Sequence, residues 1–364
     1  MQVIPPSTRI RKLDFLRGIA IILVLFRHQL LTPVLQTLGW IGVDLFFVLS
    51  GFLVSGLLFQ EYQQQGSVSA GRFLIRRGFK IYPLYYFTYL AYLVPKWYYH
   101  KLDFSKIFYD CIFVQNYFLG WGFAYPASWS LAVEEHFYLV LAGSLALLVR
   151  FAPHLFRRWV YQNGFASALA GLLLFILFLR CAANIYFPGQ DVYHTTASHL
   201  RMDSLLFGVF IAYGYYFRRA TWTEFIVKHQ AKLLCLAILL LSFTPFVQYV
   251  QSFFVRTLGF TMVYLAFGLL LLSVLFDEQM ESKLNRWFHP RVVNSISRIG
   301  FNSYAIYLIH SLVIYAVSYL PVSTTYLQFA LVFAGSVGAG FLLTATVETY
   351  FLGIRDRYFP RKTT

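Results

Sequence analysis

The stretch Arg17-Gly-Ile-Ala-Ile-Ile-Leu-Val-Leu-Phe-Arg27-His28 determines the fold class of this chain. It is an apolar run of the kind that forms a membrane-spanning helix, yet it carries three ionisable side chains. Charge inside such a helix is costly and therefore indicates a functional site. Between Arg17 and His28 the helix rotates by about 20° more than three full turns about its axis. We expect both on one helix face, about 16 Å apart along the axis, with Arg27 pointing about 100° away from His28.

The composition also indicates a membrane protein. Of 364 residues, 59% are hydrophobic and 12% are charged, and the mean hydropathy is +0.60. Soluble proteins carry roughly 25% charged residues. The net charge of +15 would suggest nucleic acid in a soluble protein, but here it follows the predicted loops, so we expect membrane lipids and no nucleic acid as partners. The three cysteines have neither metal nor disulfide spacing.

Apolar segments of about 20 residues predict ten transmembrane helices. Their approximate ranges are 13–33, 39–60, 79–96, 129–149, 165–183, 202–217, 232–249, 257–276, 301–320 and 326–350. Segment 107–119 is too short and too polar to span, and we expect a re-entrant or interfacial element there. With a cytoplasmic N-terminus, 23 of the 30 Lys and Arg residues fall on the cytoplasmic side and six outside, as the positive-inside rule requires. An eleventh span at 107–119 would break that pattern in every later loop.

The sequence therefore predicts an all-α, polytopic membrane protein with about ten transmembrane helices and both termini in the cytoplasm. No linker, low-complexity tract or convincing internal repeat divides it. We expect residues 1–364 to form a single integral-membrane domain whose core covers about 11–350.

Polar residues interrupt the other predicted helices in blocks. These blocks are Asp44 in the second helix, Arg76-Arg77-Gly-Phe-Lys80-Ile-Tyr82-Pro83 at the cytoplasmic start of the third, Ser128-Trp-Ser130-Leu-Ala-Val-Glu134-Glu135-His136 at the outer start of the fourth, Arg201-Met-Asp203-Ser204 at the outer start of the sixth, and Ser303-Tyr304-Ala-Ile-Tyr307-Leu-Ile-His310 in the ninth. Each has a structural alternative. Basic residues beside a helix set topology, carboxylates favour the first turns of a helix, and His310 is equally well explained as a core histidine.

Together the blocks describe a path across the membrane. A cytoplasmic Arg/Lys cluster suits a phosphorylated donor. An imidazole suits removal of a proton from a hydroxyl group near neutral pH. Carboxylates and aromatic rings on the outer side suit a sugar. His28, His136 and His310 lie on different helices without ligand spacing, so we expect no metal.

The order of these blocks resembles the bacterial acyltransferase 3 family of integral-membrane O-acyltransferases, over about residues 11 to 350. The spacing Arg17-x10-His28 is similar to the signature of the family's first helix, and Leu13-Asp-Phe-Leu-Arg17-Gly is similar to its lead-in. Lys80 stands where the family more often has Arg. No Pro closely follows Glu348 in the last helix, which leaves the role of Glu348 open.

The resemblance implies a multi-pass O-acyltransferase, most often an O-acetyltransferase, in the bacterial cytoplasmic (inner) membrane. Such an enzyme moves an acyl group from cytoplasmic acyl-CoA to a hydroxyl group of a cell-surface or lipid-linked glycan, such as a surface polysaccharide, lipopolysaccharide or glycolipid. Acetyl-CoA would be the donor substrate, and no tightly bound cofactor is expected.

The resemblance also divides the polar residues into three groups. The predicted catalytic residues are His28, Arg17, Glu134 and Glu135, with His28 as the general base or a transient acyl carrier. The residues predicted to bind acyl-CoA are Arg76, Arg77, Lys80 and Tyr82. The residues predicted to bind the acceptor are Asp44, Ser130, Arg201, Asp203, Tyr304 and His310.

Two other function classes remain open at this point. A proton-coupled transporter or flippase of a glycan or other polar substrate is the main alternative, because intramembrane His and carboxylates also form proton relays. Transporters often have repeats with helices broken at matching positions, and we find none in this sequence. A degenerate membrane sensor is the second alternative, against which the intact Arg17–His28 pair argues.

Overall fold

The computed structural model describes residues 10–162 and 164–360, and within these ranges the chain is helical and has no β-strand. The helices are α1 Arg11–His28, α2 Pro33–Leu38, α3 Ile41–Gln65, α4 Ala70–Tyr98, α5 Phe104–Cys111, α6 Gln115–Phe118, α7 Trp129–Phe151, α8 Pro153–Tyr161, α9 Gly164–Tyr186, α10 Asp191–Thr196, α11 Ser198–Phe217, α12 Arg219–Leu241, α13 Phe260–Phe276, α14 Met280–Trp287, α15 Pro290–Phe301, α16 Ser303–Val317, α17 Thr325–Leu343 and α18 Thr349–Tyr358. Two π-helical turns, Val255–Gly259 and Thr344–Glu348, precede α13 and α18. The all-α prediction is confirmed.

Six helical stretches in the described ranges are long and apolar enough to cross a membrane. They are Pro33–Gln65, Pro126–Phe151, Gly164–Tyr186, Arg219–Phe246, Val255–Phe276 and Thr325–Tyr358. The helices α15 and α16, bent by 79°, form a seventh if they count as one span. The other three predicted spans fall in α1, α4 and α11, whose charged and polar residues lower their hydropathy.

Several predicted helix boundaries are wrong. The first helix ends at His28 and not at residue 33, because the backbone at Gln29 is extended. A new helix then starts at Pro33, whose fixed φ suits a first turn. The helix α4, which contains the third predicted span, begins at Ala70, so the basic block from residue 76 to 80 lies inside the helix and not at its start.

Segment 107–119, which is predicted not to span, contains only the short helices α5 and α6, and neither is long enough to span.

The centre of the bundle is the packing of α3 against α11. A Cβ atom on Gly51 would overlap the carbonyl oxygen of Leu205, and one on Gly208 would overlap that of Val48. Such close approach of two backbones needs small residues at the contact. It fixes the relative positions of the polar residues Asp44 and Arg201 near the starts of the two helices.

The first helix packs in the same way against α15. A Cβ atom on Gly18 would overlap the carbonyl oxygen of Ile296, and one on Gly300 would overlap that of Asp14. Because Gly18 follows Arg17 directly, this contact also positions the Arg17 backbone.

The helices α9, α12 and α17 have mostly exposed apolar surfaces. Leu174, Ile238 and Leu342 on these helices are each more than 60% exposed. Exposed apolar surface of this extent is what a lipid-facing helix presents, and it supports the multi-pass membrane prediction.

Candidate functional site

Two neighbouring cavities lie among the helices. The first has a volume of about 120 Å³ and is lined by the charged residues Arg17, Arg77, Lys80, Glu134 and Glu135. We call it the charged cavity. The second has a volume of about 480 Å³ and contains His28. We call it the histidine cavity.

The histidine cavity is lined by further charged residues and by aromatic rings. Its charged side chains besides His28 are Arg27, Asp44 and Arg201. Its aromatic side chains are Trp40, Trp121, Trp129, Tyr249, Phe260 and Tyr307. Val43 and Tyr307 line both cavities and therefore form their common wall.

Arg77 is a cation of the charged cavity that is held by contacts with Tyr138. Its Nη2 donates to the hydroxyl of Tyr138 at 2.8 Å, and its guanidinium carbon lies 4.7 Å from the centre of that ring. The Tyr138 hydroxyl in turn donates to Glu134, which also accepts a hydrogen bond from Ser50 at 3.3 Å. The Nε of Arg77 is buried and has no hydrogen-bond partner among the described residues. Arg77 is therefore fixed in place and still has one donor for a ligand.

The other polar pairs of this cavity connect three helical segments, α4, α7 and the second π-helical turn. Glu135 accepts a hydrogen bond from the Tyr82 hydroxyl at 2.8 Å, while its second oxygen is buried without a partner in the described part of the chain. Lys80 forms an ion pair with Glu348, the last residue of the second π-helical turn. This contact gives Glu348, whose role the sequence leaves open, a partner at the site.

Arg17 differs from these residues because its guanidinium has no hydrogen-bond or ion-pair partner within residues 10–162 and 164–360. It lines the charged cavity from α1. A cation within a membrane helix is costly when nothing compensates it. A bound anionic or strongly polar ligand would supply that compensation.

His28 is the last residue of α1 and faces the histidine cavity. Its Nδ1 lies 2.9 Å from the carbonyl oxygen of Val24. Because a carbonyl oxygen can only accept, Nδ1 carries the proton and Nε2 carries the lone pair. The imidazole is thus held in the tautomer that a general base needs.

His310 supports His28 and does not line either cavity. The centres of the two imidazole rings are 4.9 Å apart, and His310 is fully buried. Its Nδ1 donates to the carbonyl oxygen of Tyr307 at 2.6 Å. The structure therefore places His310 behind His28, where it contacts the imidazole and not the cavity.

Asp44 and Arg201 form a buried ion pair at 2.8 Å on the wall of the histidine cavity. Ser204 also donates to Asp44, and the Arg201 guanidinium lies 3.4 Å from the ring centre of Phe260. One oxygen of Asp44 and two nitrogens of Arg201 remain buried without a hydrogen-bond partner among the residues described. These atoms are available to a polar ligand.

Two other residues predicted to bind the acceptor lie in the charged cavity, and a third is structural. Ser130 and Tyr304 line the charged cavity, and Tyr304 donates to the carbonyl oxygen of Ile81 at 2.8 Å. Asp203 is fully buried in an ion pair with Arg180 at 2.5 Å and lines neither cavity. That pair joins α9 to α11.

The sequence expectation that Glu134 and Glu135 lie with Asp44 is wrong, because they line the charged cavity and Asp44 lines the histidine cavity. The helix α7 passes from one cavity to the other at its first turn, where Trp129 lines the histidine cavity and Ser130 lines the charged cavity. Arg76 is likewise absent from both cavity walls, and it pairs with Asp356 of α18 at 3.0 Å.

Comparison with known proteins identifies the family of this chain. The sequence model of the acyltransferase domain matches residues 10–345. The chain belongs to the acyltransferase 3 family. The predicted family resemblance is confirmed.

This acyltransferase 3 family chain is similar to O-acetyltransferases of two bacteria. It is 28% identical to the peptidoglycan O-acetyltransferase OatA of Listeria monocytogenes over 82% of this chain and 48% of that protein. It is 26% identical to the O-acetyltransferase OatA of Staphylococcus aureus over 67% of this chain and 40% of that protein. The chain spans about half the length of the curated relatives it matches. No solved structure is detectably similar to it.

Some residues that line this acyltransferase domain's cavities, or that hold the side chains lining them, are not among the site residues predicted from the sequence. Tyr138 lies four residues after Glu134, a spacing that brings two side chains together on one helix face. That spacing would have identified Tyr138. Tyr249 and Phe260 come from distant segments with no local pattern, and only the folded structure brings them to the histidine cavity.

Proposed function

We propose that the protein is a membrane-bound O-acyltransferase, and specifically an O-acetyltransferase, that transfers an acetyl group from acetyl-CoA to a hydroxyl group of a glycan. The observation that carries the proposal is the pair of cavities with a common wall, one containing cations and the other an imidazole base among aromatic rings. The relatives support the acetyl group by name, and the Listeria protein supports peptidoglycan as one acceptor class.

The charged cavity is proposed as the site of the acyl donor. Its volume of about 120 Å³ is about a quarter of that of the histidine cavity, so we assign it the acetyl thioester and not the whole of CoA. Arg17 and Arg77 have unused donors there and would stabilise charge that develops on the thioester oxygen. Arg76 and Lys80, nearer α18, would bind CoA phosphates.

The histidine cavity is proposed as the site of the glycan acceptor. Its aromatic rings suit stacking against a sugar, and the free atoms of Asp44 and Arg201 suit hydrogen bonds to sugar hydroxyls. His28 would remove the proton from the attacking hydroxyl through Nε2. The hydroxyl oxygen then bonds to the acyl carbon, the carbon–sulfur bond breaks, and the proton passes from His28 to the CoA thiolate.

The proposed topology has ten spans with both termini in the cytoplasm of a bacterial cell, in the inner membrane. The spans would be α1, α3, α4, α7, α9, α11, α12, α13, α16 and α17. One contact supports a common side for the start of α1 and the end of α13, and a second supports a common side for the start of α4 and the end of α18. Lys12 donates to the carbonyl oxygen of Asp277 at 3.3 Å, and Arg76 pairs with Asp356.

Single cysteines in a background without the three native ones test this topology. Cysteines at positions 103, 190 and 322 should react with an impermeant thiol reagent from outside intact cells, and one at 155 should not. Labelling at 155 with none at 190 would contradict the ten-span topology.

The function itself is tested by mass spectrometry of cell-envelope glycans. Cells with the intact gene should carry O-acetyl groups that cells without it lack, and the gene should restore them. A transporter or flippase would change the location of a glycan without changing its acetylation. Equal acetylation in both strains, together with no consumption of acetyl-CoA by the purified protein, would contradict the proposal.

A further inference from the structure

Two side chains of the wall between the cavities line both of them, Val43 and Tyr307. Val43 is short and branched at Cβ, so its χ1 rotation moves little volume. Tyr307 is a large ring on α16, only 6% exposed, and it can swing about two side-chain torsions. Opening a passage between the cavities therefore depends mainly on Tyr307.

The hydroxyl of Tyr307 is held from both sides of this wall. It donates to the carbonyl oxygen of Ala127 at 2.9 Å and lies 2.7 Å from the Ser130 hydroxyl. Ala127 lines the histidine cavity, and Ser130 lines the charged cavity. The ring meets Phe46 in an edge-on contact, with the ring centres 6.4 Å apart. These contacts hold the ring in the closed position.

Tyr307 is also connected through His310 to His28, the predicted general base. The carbonyl oxygen of Tyr307 accepts the Nδ1–H of His310, whose ring lies against His28. The wall and the base therefore belong to one packed unit, and a ligand that shifts one of them also acts on the other.

We propose that Tyr307 is the partition that keeps the acyl thioester away from water until an acceptor fills the histidine cavity, and that it thereby determines the ratio of glycan transfer to thioester hydrolysis. This inference rests on the proposed function, because it requires the donor in one cavity and the acceptor in the other.

The chemical reason is that His28 does not distinguish water from a sugar hydroxyl. The histidine cavity, at about 480 Å³, has room for several water molecules, since about 10–15 Å³ of such volume is enough for one. If the thioester were open to it, a water oxygen would bond to the acyl carbon and the carbon–sulfur bond would break. One water proton would pass through His28 to the CoA thiolate, and the other would leave with the acetate. Exclusion of water from a reactive intermediate is a common use of closed sites.

The test uses the purified full chain with acetyl-CoA and no glycan, and it measures released CoA by chromatography and mass spectrometry. Tyr307→Ala should raise acceptor-independent release by about tenfold or more, because it opens the wall to water. It should also lower the O-acetyl content of envelope glycans in cells. Tyr307→Phe keeps the ring, so its release should rise by less than about threefold. Tyr326→Ala is the matched control, since Tyr326 is 69% exposed and lines neither cavity.

Wild-type CoA release from a folded Tyr307→Ala protein, with wild-type glycan acetylation, would overturn the partition and leave the proposed function standing. If Tyr307→Ala does not fold, Tyr307→Leu carries the same expectation, because leucine is also smaller than the ring. Adding His28→Ala to either variant should remove the excess release. If the wild-type protein neither releases CoA nor acetylates glycans, the proposed function is wrong and the partition with it.

Discussion

The charged cavity and the histidine cavity differ in size and in the side chains that line them. The charged cavity, which is about 120 Å³, is lined by three cations and two carboxylates, of which Arg77 and Lys80 each have a protein partner. The histidine cavity, which is about 480 Å³, is lined by six aromatic rings and by the Asp44–Arg201 pair. Both cavities retain buried polar atoms without hydrogen-bond partners among the described residues.

The difference corresponds to two kinds of ligand. A small, internally hydrogen-bonded cavity is preorganised for one fixed chemical group, which under our proposal is the acetyl thioester. A large cavity with aromatic walls and unused polar atoms accommodates ligands of varied shape, as glycan acceptors are. If the charged cavity binds the donor and the histidine cavity binds the acceptor, substitutions in the two cavities should have different effects.

The largest effect is expected for His28→Ala. Loss of a general base lowers the rate by about 10²- to 10⁴-fold, so glycan acetylation should fall to near background. Binding of acetyl-CoA should stay at the wild-type level, because His28 lines the other cavity. His154→Ala, an exposed histidine outside both cavities, is the control. Weaker acetyl-CoA binding by His28→Ala would contradict the proposal that donor and acceptor bind in separate cavities.

The next largest effect is expected on stability, from Asp44→Asn. Removing one partner of a buried ion pair leaves an uncompensated charge and costs about 3–5 kcal/mol. Asp356, the partner of Arg76, is 56% exposed, so Asp356→Asn should cost less than about 1 kcal/mol. Thermal unfolding of the purified proteins in detergent measures both. Equal loss of stability in the two variants would contradict the distinction between buried and peripheral pairs.

A smaller effect is expected for Arg17→Ala. Hydrogen bonds to charged groups contribute about 1.5–3 kcal/mol, so acetyl-CoA affinity should fall about 10- to 100-fold. Arg17→Lys should retain part of the affinity, because it keeps the charge and loses the planar fork. Isothermal titration gives the affinities, with the exposed Arg291→Ala as control. Unchanged affinity of Arg17→Ala would remove this residue from the donor site.

The smallest effect concerns Asp277, which lies outside both cavities and after the end of α13. Burial opposes ionisation of Asp277, but hydrogen bonds from Lys283 at 2.6 Å and Gln230 at 2.9 Å outweigh it and hold its pKa below the usual value. A carboxyl with a lowered folded pKa contributes stability above its unfolded pKa of about 4, and this contribution is lost as the pH falls through the folded value.

Asp277→Asn should therefore lower the melting temperature at neutral pH by a few degrees at most and reduce the loss of stability as the pH falls below about 4. Acetyl-CoA affinity should not change. A variant with the same acid sensitivity as the wild-type protein would contradict the assignment.

Much of the fold follows from hydropathy, since the apolar runs that predicted α3, α7, α9, α12, α13 and α17 reappear as six candidate spans. The motif residues of α1, α4 and α7 also meet around one cavity, as their polarity within apolar helices indicated. Hydropathy does not fix where a helix begins, because polar residues inside α4 look like flanking charges. The placement of Arg76, Arg77 and Lys80 inside that helix was missed for this reason.

The partners of buried charges were not predictable from local patterns. Asp203 lies two residues from Arg201 and was assigned to the acceptor with it, yet it pairs with Arg180 on α9. Its partner is far away in sequence, and only the packing of α9 against α11 joins them. Glu134 shows the same limit, because only the folded structure shows that α7 passes from the histidine cavity to the charged cavity between Trp129 and Ser130.

The π-helical turn Thr344–Glu348 has a consequence for the tolerated length of the last span. It joins α17 to α18, and its wider turn holds one residue more than an α-helical turn would. Deleting a single residue there would turn α18 by about 100° and draw it about 1.5 Å toward α17. Asp356 would then leave Arg76, and Glu348 would leave Lys80. The spacing between these four residues thus makes the length of the C-terminal helix a fixed property of the chain, while lipid-facing substitutions in α17 are free to vary.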